Sequence, residues 1–393
     1  MHTTADIASL PLQQDSAMPP GRAARSWPWS RPPQDQPASC WQLMRFVTAA
    51  LLVLTVAGSA IAVAAHRPSR LEVSPVHAAS SQPSATPPAA SGPVVEFLWE
   101  ADGGPSFPLD GPTGMAVDAQ GNLWVTDGGN GRFVIFSPEG VALEAWGAAG
   151  SGDGEFNFAC TGTRFGGVAF DAHGNIYVAD SGNGRIQTFA PDRTFLASWR
   201  SEGVANNQML DTGRGGQGTA DDLLLCPVAL AVDGQSHVFV SDRHASTIEV
   251  FGPDGRPLVT IPVESMQPEA VALDRDGDVW VADTSSRILQ FAPAGKLRTT
   301  WDTAILGAGQ LNTPMGIAVD AQDRVFVSDW SKQVQLFAPN GAFLGAWGSR
   351  GLATAHFEDP VAVTLDGHGH VYVADHFGDR VQAFRLLPPF APK

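Results

Sequence analysis

The sequence predicts an all-β chain whose main domain is a six-bladed β-propeller, and three observations carry that prediction. The first is composition. The chain of 393 residues holds 42 Gly and 30 Pro with only 16% charged residues, a density of helix breakers that excludes long helical arrays, while 44% apolar residues exclude global disorder. The second is a repeated pair of aspartates. A segment ending in Asp118, Asp171, Asp233, Asp274, Asp320 or Asp366 is followed in each case 9 residues later by Asp127, Asp180, Asp242, Asp283, Asp329 or Asp375. The third is a strand that is missing at one end of the domain and supernumerary at the other.

Taken in order, residues 1–43 are rich in Pro, Gln, Ser and Ala and show no helix or strand period, so a disordered tail is expected. Residues 44–66 contain an uncharged run from Phe46 to Ala65, 20 residues long, enough for a helix to span the hydrocarbon core. Two readings stay open: a transmembrane signal anchor, or the apolar region of a signal peptide starting at Met44 rather than Met1 and cleaved near Ala62-Val63-Ala64. Arginines flank both ends equally, so charge does not set the orientation. Residues 67–93 read as a Pro/Ser/Ala-rich stalk. This organisation places the domain outside the cytoplasmic membrane, either tethered as a single-pass protein or released by cleavage into the periplasm or medium.

Residues 94–387 form the repeated domain, with 388–393 as a tail. Each unit offers a strand ending at the first aspartate, a polar turn, a second strand ending at the second aspartate, and a third ending at Phe136, Phe189, Phe251, Phe291, Phe337 or Phe384. A fourth ends near Trp146, Trp199, Trp301 or Trp347. Successive units start 53, 62, 41, 46 and 46 residues apart, the period of propeller blades. Turns such as Gln120-Gly121-Asn122 and His173-Gly174-Asn175 suit tight hairpins. The sixth unit lacks a fourth strand, and Val94-Val95-Glu96-Phe97-Leu98-Trp99 resembles the absent Phe343–Trp347 type of strand. Pairing the two ends in one blade removes the open edges.

Strings such as Asn175-Ile-Tyr-Val-Ala-Asp180-Ser-Gly-Asn183-Gly-Arg185-Ile-Gln-Thr-Phe189 resemble NHL repeats. The resemblance covers residues 94–384, with the motif arginine present at Arg132, Arg185, Arg287 and Arg380 and absent from the third and fifth units. It implies the six-bladed fold. It leaves function open, since NHL propellers include RNA-binding domains, extracellular sensor domains and the peptidyl-hydroxyglycine amidating lyase. In that lyase the zinc histidines follow the Pro opening the first strand. The equivalent positions here are Thr113, Gly166, Val228, Glu269, Met315 and Val361, none of them His, and only Arg243, directly after Asp242, matches a lyase arginine.

Residues present in every unit are expected to serve the blades, so the function is sought in positions that break the repeat. After the second aspartate stand Gly128, Ser181, Arg243, Thr284, Trp330 and His376. Trp330 is the tryptophan of the domain that falls outside the second- and fourth-strand positions. With Arg243, His244, Glu269, His376 and Phe377 it is expected to line one mouth of the ring across blades three to six, an aromatic and arginine set of the kind binding sites use. Cys160 and Cys226 precede the first strands of consecutive units, and a disulfide between them is expected if the domain is exported. No cofactor is expected, with calcium at Asp274-Arg-Asp276-Gly-Asp278 or zinc as the exceptions. The insertion Ser201–Leu225 reads as a long loop.

The formal charge is -16, concentrated in the repeated domain, which disfavours a nucleic-acid partner. The reading is a non-enzymatic, extracytoplasmic binding or sensing module for a protein, peptide or glycan. The alternative is a lyase or hydrolase of the amidating-lyase type with a divergent site.

Overall fold

The computed structural model describes residues 94–160, 162–200, 224, 226–263, 267–302 and 309–390. The N-terminal tail, the apolar run 46–65, the stalk, Cys40 and the insertion Ser201–Leu225 apart from Leu224 lie outside these residues. Among the described residues no helix is long and apolar enough to cross a membrane.

The described strands form six four-stranded antiparallel sheets and two small two-stranded ones. Blade 1 runs through Pro112–Val117, Leu123–Asp127, Arg132–Phe136 and Ala142–Trp146. Blades 2 to 5 repeat this order, their second strands being Ile176–Asp180, Val238–Asp242, Val279–Asp283 and Val325–Asp329. In blade 6 the strands Pro360–Leu365, His370–Asp375 and Arg380–Leu386 are completed by Val95–Ala101 from the other end of the domain. The first strands of successive blades contact one another around the whole ring, including blade 6 with blade 1. Helix is confined, among the described residues, to single 3-10 turns at Ser181–Asn183 and His376–Gly378.

Two strand ends differ from the sequence expectation. The first aspartate of each unit lies one residue beyond its strand, because its carboxylate closes the turn. Asp118 Oδ1 accepts the N–H groups of Gln120 (2.9 Å) and Asn122 (2.8 Å), and Oδ2 accepts Trp124 Nε1 (3.0 Å). Asp274 does the same with Asp276, Asp278 and Trp280, so the string read for calcium is a turn of the common type. The last strand runs past Phe384 to Leu386 because the closing strand pairs with it, from Val95 opposite Leu386 to Ala101 opposite Val381.

All five residues are buried in each of the second strands named for blades 1 to 5, since both faces of a blade are covered by its neighbours. The core is accordingly layered between blades. Leu123, Val125 and Phe136 of blade 1 pack with Tyr372, Ala374 and Val381 of blade 6, and Trp124 and Phe133 pack with Val178 and Phe189 of blade 2. Burial of these apolar surfaces between sheets is the main force holding the ring together. The fourth-strand tryptophans Trp99, Trp199 and Trp301 lie against the last hairpin of the next blade, at Gly140, Gly255 and Gly341. Gly255 is the clearest case. Its φ is +78°, and a Cβ there would fall 2.2 Å from Trp199 Nε1, so only glycine supplies both the turn and the room.

The second aspartates are fully buried and make the ends of the blades rigid. Asp180 accepts the Asn157 N–H (2.7 Å), Asn183 Nδ2 (2.9 Å), Gln187 Nε2 (3.1 Å) and Arg185 Nε (2.6 Å). The repeat arginine thus pairs with its own unit's aspartate, as Arg132 does with Asp127 and Arg380 with Asp375. Where the arginine is absent, other donors serve: Asn312 N–H, Ser331 and Gln335 at Asp329, and the N–H groups of Cys226, His244 and Ala245 at Asp242.

Candidate functional site at one mouth of the ring

The non-repeating residues are brought to one end of the ring by a bond that itself repeats. The turn after each second strand donates an N–H to the segment entering the first strand of the same blade. Gly128 bonds Gly111 O (3.3 Å), Gly182 bonds Asn157 O (2.7 Å), Arg243 bonds Cys226 O (3.1 Å), Thr284 bonds Gln267 O (3.3 Å), Trp330 bonds Asn312 O (2.9 Å) and His376 bonds Asp359 O (2.8 Å). Several of these turns also reach the next blade. Ser181 Oγ donates to Pro227 O (2.5 Å), Lys332 Nζ pairs with Asp359 (2.8 Å), and His376 Nδ1 lies 3.3 Å from Pro112 O.

At this mouth Arg243 is held by three groups. Its Nε donates to Gln267 Oε1 (2.8 Å) and lies 3.2 Å from Glu269 Oε1, and its guanidinium sits 4.9 Å above the Phe165 ring. Glu269 is 5% exposed. It occupies the bulge between the pairs Pro268–Asp283 and Ala270–Ala282, outside the regular ladder. Neither of its oxygens makes a hydrogen bond among the described residues, the Arg243 contact being close but poorly aligned. The entry segments of blades 2 and 3 meet beside Arg243, where Cys160 and Cys226 are joined as a disulfide with Cα atoms 6.2 Å apart. His244 stands against that disulfide. Burial, with the adjacent Arg243 charge, holds its imidazole below the ordinary 6.5.

The residues singled out in the sequence therefore fall into two groups and one outlier. Arg243, His244 and Glu269 form the first group. His376 and Phe377 form the second, their ring centroids 5.0 Å apart. Trp330 is 53% exposed and Phe377 51% exposed, and Trp330 has no ring partner among the described residues. Glu269, expected to help line this mouth, is buried there at the strand bulge rather than exposed. Phe165 and Gln267 were not singled out. The one signal for Phe165 is that Phe165-Gly166-Gly167 replaces the opening proline of the other blades.

The Glu269 carboxyl is pushed up to about 7 from an ordinary 4.5, chiefly by burial, with the Asp283 charge adding to the shift and Arg243 opposing it. In the unfolded chain it ionises near 4.5. Between pH 4.5 and 7 the unfolded chain thus releases a proton that the folded chain keeps. Stability is expected to fall as pH rises through that window, by up to about 3 kcal/mol, and to stay level with respect to this group above it. Glu269→Gln should flatten that slope. Urea unfolding of both proteins below, within and above the window measures it, and equal slopes would contradict the assignment.

An all-β ring of six four-stranded blades, closed by its N-terminal strand and carrying its variable residues on the turns of one mouth, defines a β-propeller. The NHL repeat family matches residues 109–136 and 166–189, the first three strands of blades 1 and 2. The protein thus carries NHL repeats in its first two blades and folds as a six-bladed β-propeller. A segment of 95 residues is 34% identical to NHL repeat-containing protein 3 of Mus musculus, covering 23% of this chain and 26% of that protein. The Homo sapiens counterpart is 31% identical over 97 residues, covering 24% of this chain and 26% of the relative. The chain thus matches about a quarter of the length of these relatives. Among solved structures, a Bacteroides thetaiotaomicron protein of unknown function superposes with a TM-score of 0.55 at 12% identity, covering 75% of this chain and 76% of that one. A gluconolactonase of Xanthomonas campestris gives 0.51 at 16% identity, covering 71% and 87%. Both similarities are of fold.

Proposed function

We propose that this propeller is a non-enzymatic binding module that takes a protein, peptide or glycan at the mouth built from the Arg243, Trp330 and Phe377 turns. One observation carries the reading. A buried Glu269 carboxyl without a hydrogen bond lies beside an arginine stacked on Phe165, at the same mouth where Trp330 and Phe377 stand half exposed. A buried polar group without a partner is costly, and a ligand donor reaching Glu269 would remove that cost. Half-exposed aromatic rings supply large apolar faces to a peptide or a sugar ring, and arginine with aromatics is the usual make-up of binding hot spots. The acidic domain repels phosphate backbones, which disfavours a nucleic-acid partner. The apolar run 46–65 and the stalk favour display of this mouth outside the cytoplasmic membrane.

The test is a screen of the full chain against peptide and glycan arrays, repeated with Trp330→Ala/Phe377→Ala and with Arg243→Ala. Each variant is expected to weaken a genuine ligand by at least about 30-fold, the loss of a hot spot of roughly 2 kcal/mol. Ligands bound equally by the parent chain and both variants would refute the proposed mouth.

A further inference from the structure

The Cys160–Cys226 disulfide has a third donor beside it. Both sulfurs and an imidazole nitrogen of His244 lie within 4.8 Å of one another, and among the described residues this is the group whose atoms could converge on a metal ion. Three separate segments supply it. Cys160 closes the short strand Ala159–Cys160, Cys226 immediately precedes the first strand of blade 3, and His244 lies in the turn after Asp242. Two of the three positions are held by one carboxylate. Buried Asp242 accepts the Cys226 N–H (3.1 Å) and the His244 N–H (3.0 Å), while Cys226 O accepts the Arg243 N–H (3.1 Å). Cys160 is held on the other side by its pairing with Thr163.

We infer that the reduced form of this cluster is a two-cysteine, one-histidine site for a thiophilic divalent cation, zinc above all, and that disulfide and metal are alternative states of the same residues. A dithiol reductant delivers two electrons and two protons, closing to its own disulfide and leaving two thiols on the protein. Zinc then binds as the two thiol protons leave to solvent. Two thiolates and a divalent ion sum to zero charge, which suits a pocket where the sulfurs are fully buried among Phe165 and Val228. Tetrahedral zinc with bonds of about 2.3 Å to sulfur and 2.0 Å to nitrogen needs donors roughly 3.5–3.8 Å apart. The three donor atoms lie within 4.8 Å of one another with the sulfurs bonded, and opening the S–S bond moves the sulfurs apart, in the direction zinc requires. Asp242 fixes the backbone of two of the three ligands by accepting their N–H groups. The inference does not depend on what the mouth binds.

The experiment uses the full chain, reduced with a dithiol and then freed of it without air, and titrated with cobalt(II) and zinc(II). One equivalent of cobalt should give thiolate-to-metal charge-transfer absorption in the near ultraviolet, and zinc should abolish it stoichiometrically. The oxidised chain should give no such band. Cys160→Ser should eliminate it, His244→Ala should weaken cobalt binding at least tenfold, and Cys40→Ser should leave it unchanged. Near-ultraviolet circular dichroism run in parallel reports whether the reduced ring stays folded. A reduced chain that binds no metal, folded or not, would overturn the inference. So would binding that His244→Ala leaves intact, or a band that survives Cys160→Ser.

Discussion

Replacing Asp180 with alanine is expected to cost about 3–5 kcal/mol of stability, among the largest effects of any single substitution in the ring. The reason is what the change leaves behind. Arg185 is 2% exposed and donates to Asp180 at 2.6 Å, while its other contacts are carbonyls of Gly152 and Glu155. Without the carboxylate a charged guanidinium remains buried, and Asn183, Gln187 and the Asn157 N–H lose an acceptor. The ion pair is not thereby a source of net stability. Burial pushes the Asp180 carboxyl up in spite of its donors, which is the usual balance for a desolvated pair. Asp180→Asn keeps an acceptor oxygen and should cost less. As a control, Glu144 pairs with Arg193 at the surface, with side-chain exposures of 47% and 28%, and Glu144→Ala should cost under about 1 kcal/mol. Urea midpoints compare the three variants. An Asp180→Ala loss no larger than that of Glu144→Ala would contradict the assignment.

The second large effect concerns closure. In Val95–Ala101, Phe97 packs edge-on against Phe384 and Trp99 against Tyr372, both with centroids 5.8 Å apart. Trp99 Nε1 also donates to Pro138 O at 2.9 Å in blade 1. Ion pairs of Glu96 with Arg385 and Glu100 with Arg380 fasten the strand to its partner. The double change Phe97→Asp/Trp99→Asp is expected to cost about 4 kcal/mol or more, since it removes two aromatic contacts and puts charge into the seam. Detachment of the strand would also bare the edge of Arg380–Leu386, a template for pairing with other chains. The variant should therefore unfold at lower urea and form oligomers on size-exclusion chromatography. A monomeric variant with an unchanged midpoint would show that the ring does not rely on this strand.

The closing strand was legible in the sequence because it is a local pattern, an alternating strand ending in Trp99 like those ending in Trp146 and Trp347. The blades were legible for the same reason. Each hairpin is made by neighbours in sequence, and the 9-residue interval between aspartates is one turn and one short strand. The mouth was less legible. Trp330 and Phe377 were recognisable as residues outside the repeat, and both are half exposed. The contacts that make the site were not, since Arg243 meets Phe165 from blade 2 and Gln267 and Glu269 from blade 4.

By itself, then, the sequence determined the number of blades, their strands, the closing device and the positions that depart from the repeat. These follow from short-range periodicity and turn chemistry, which act over a few residues. Only the tertiary structure decided that Glu269 is buried with no hydrogen bond among the described residues, that Phe165 carries the Arg243 guanidinium, and that His244 stands beside the Cys160–Cys226 sulfurs. Those contacts depend on how neighbouring blades are set around the ring. The packing of one blade's face on the next decides that setting, and no interval along the chain encodes it.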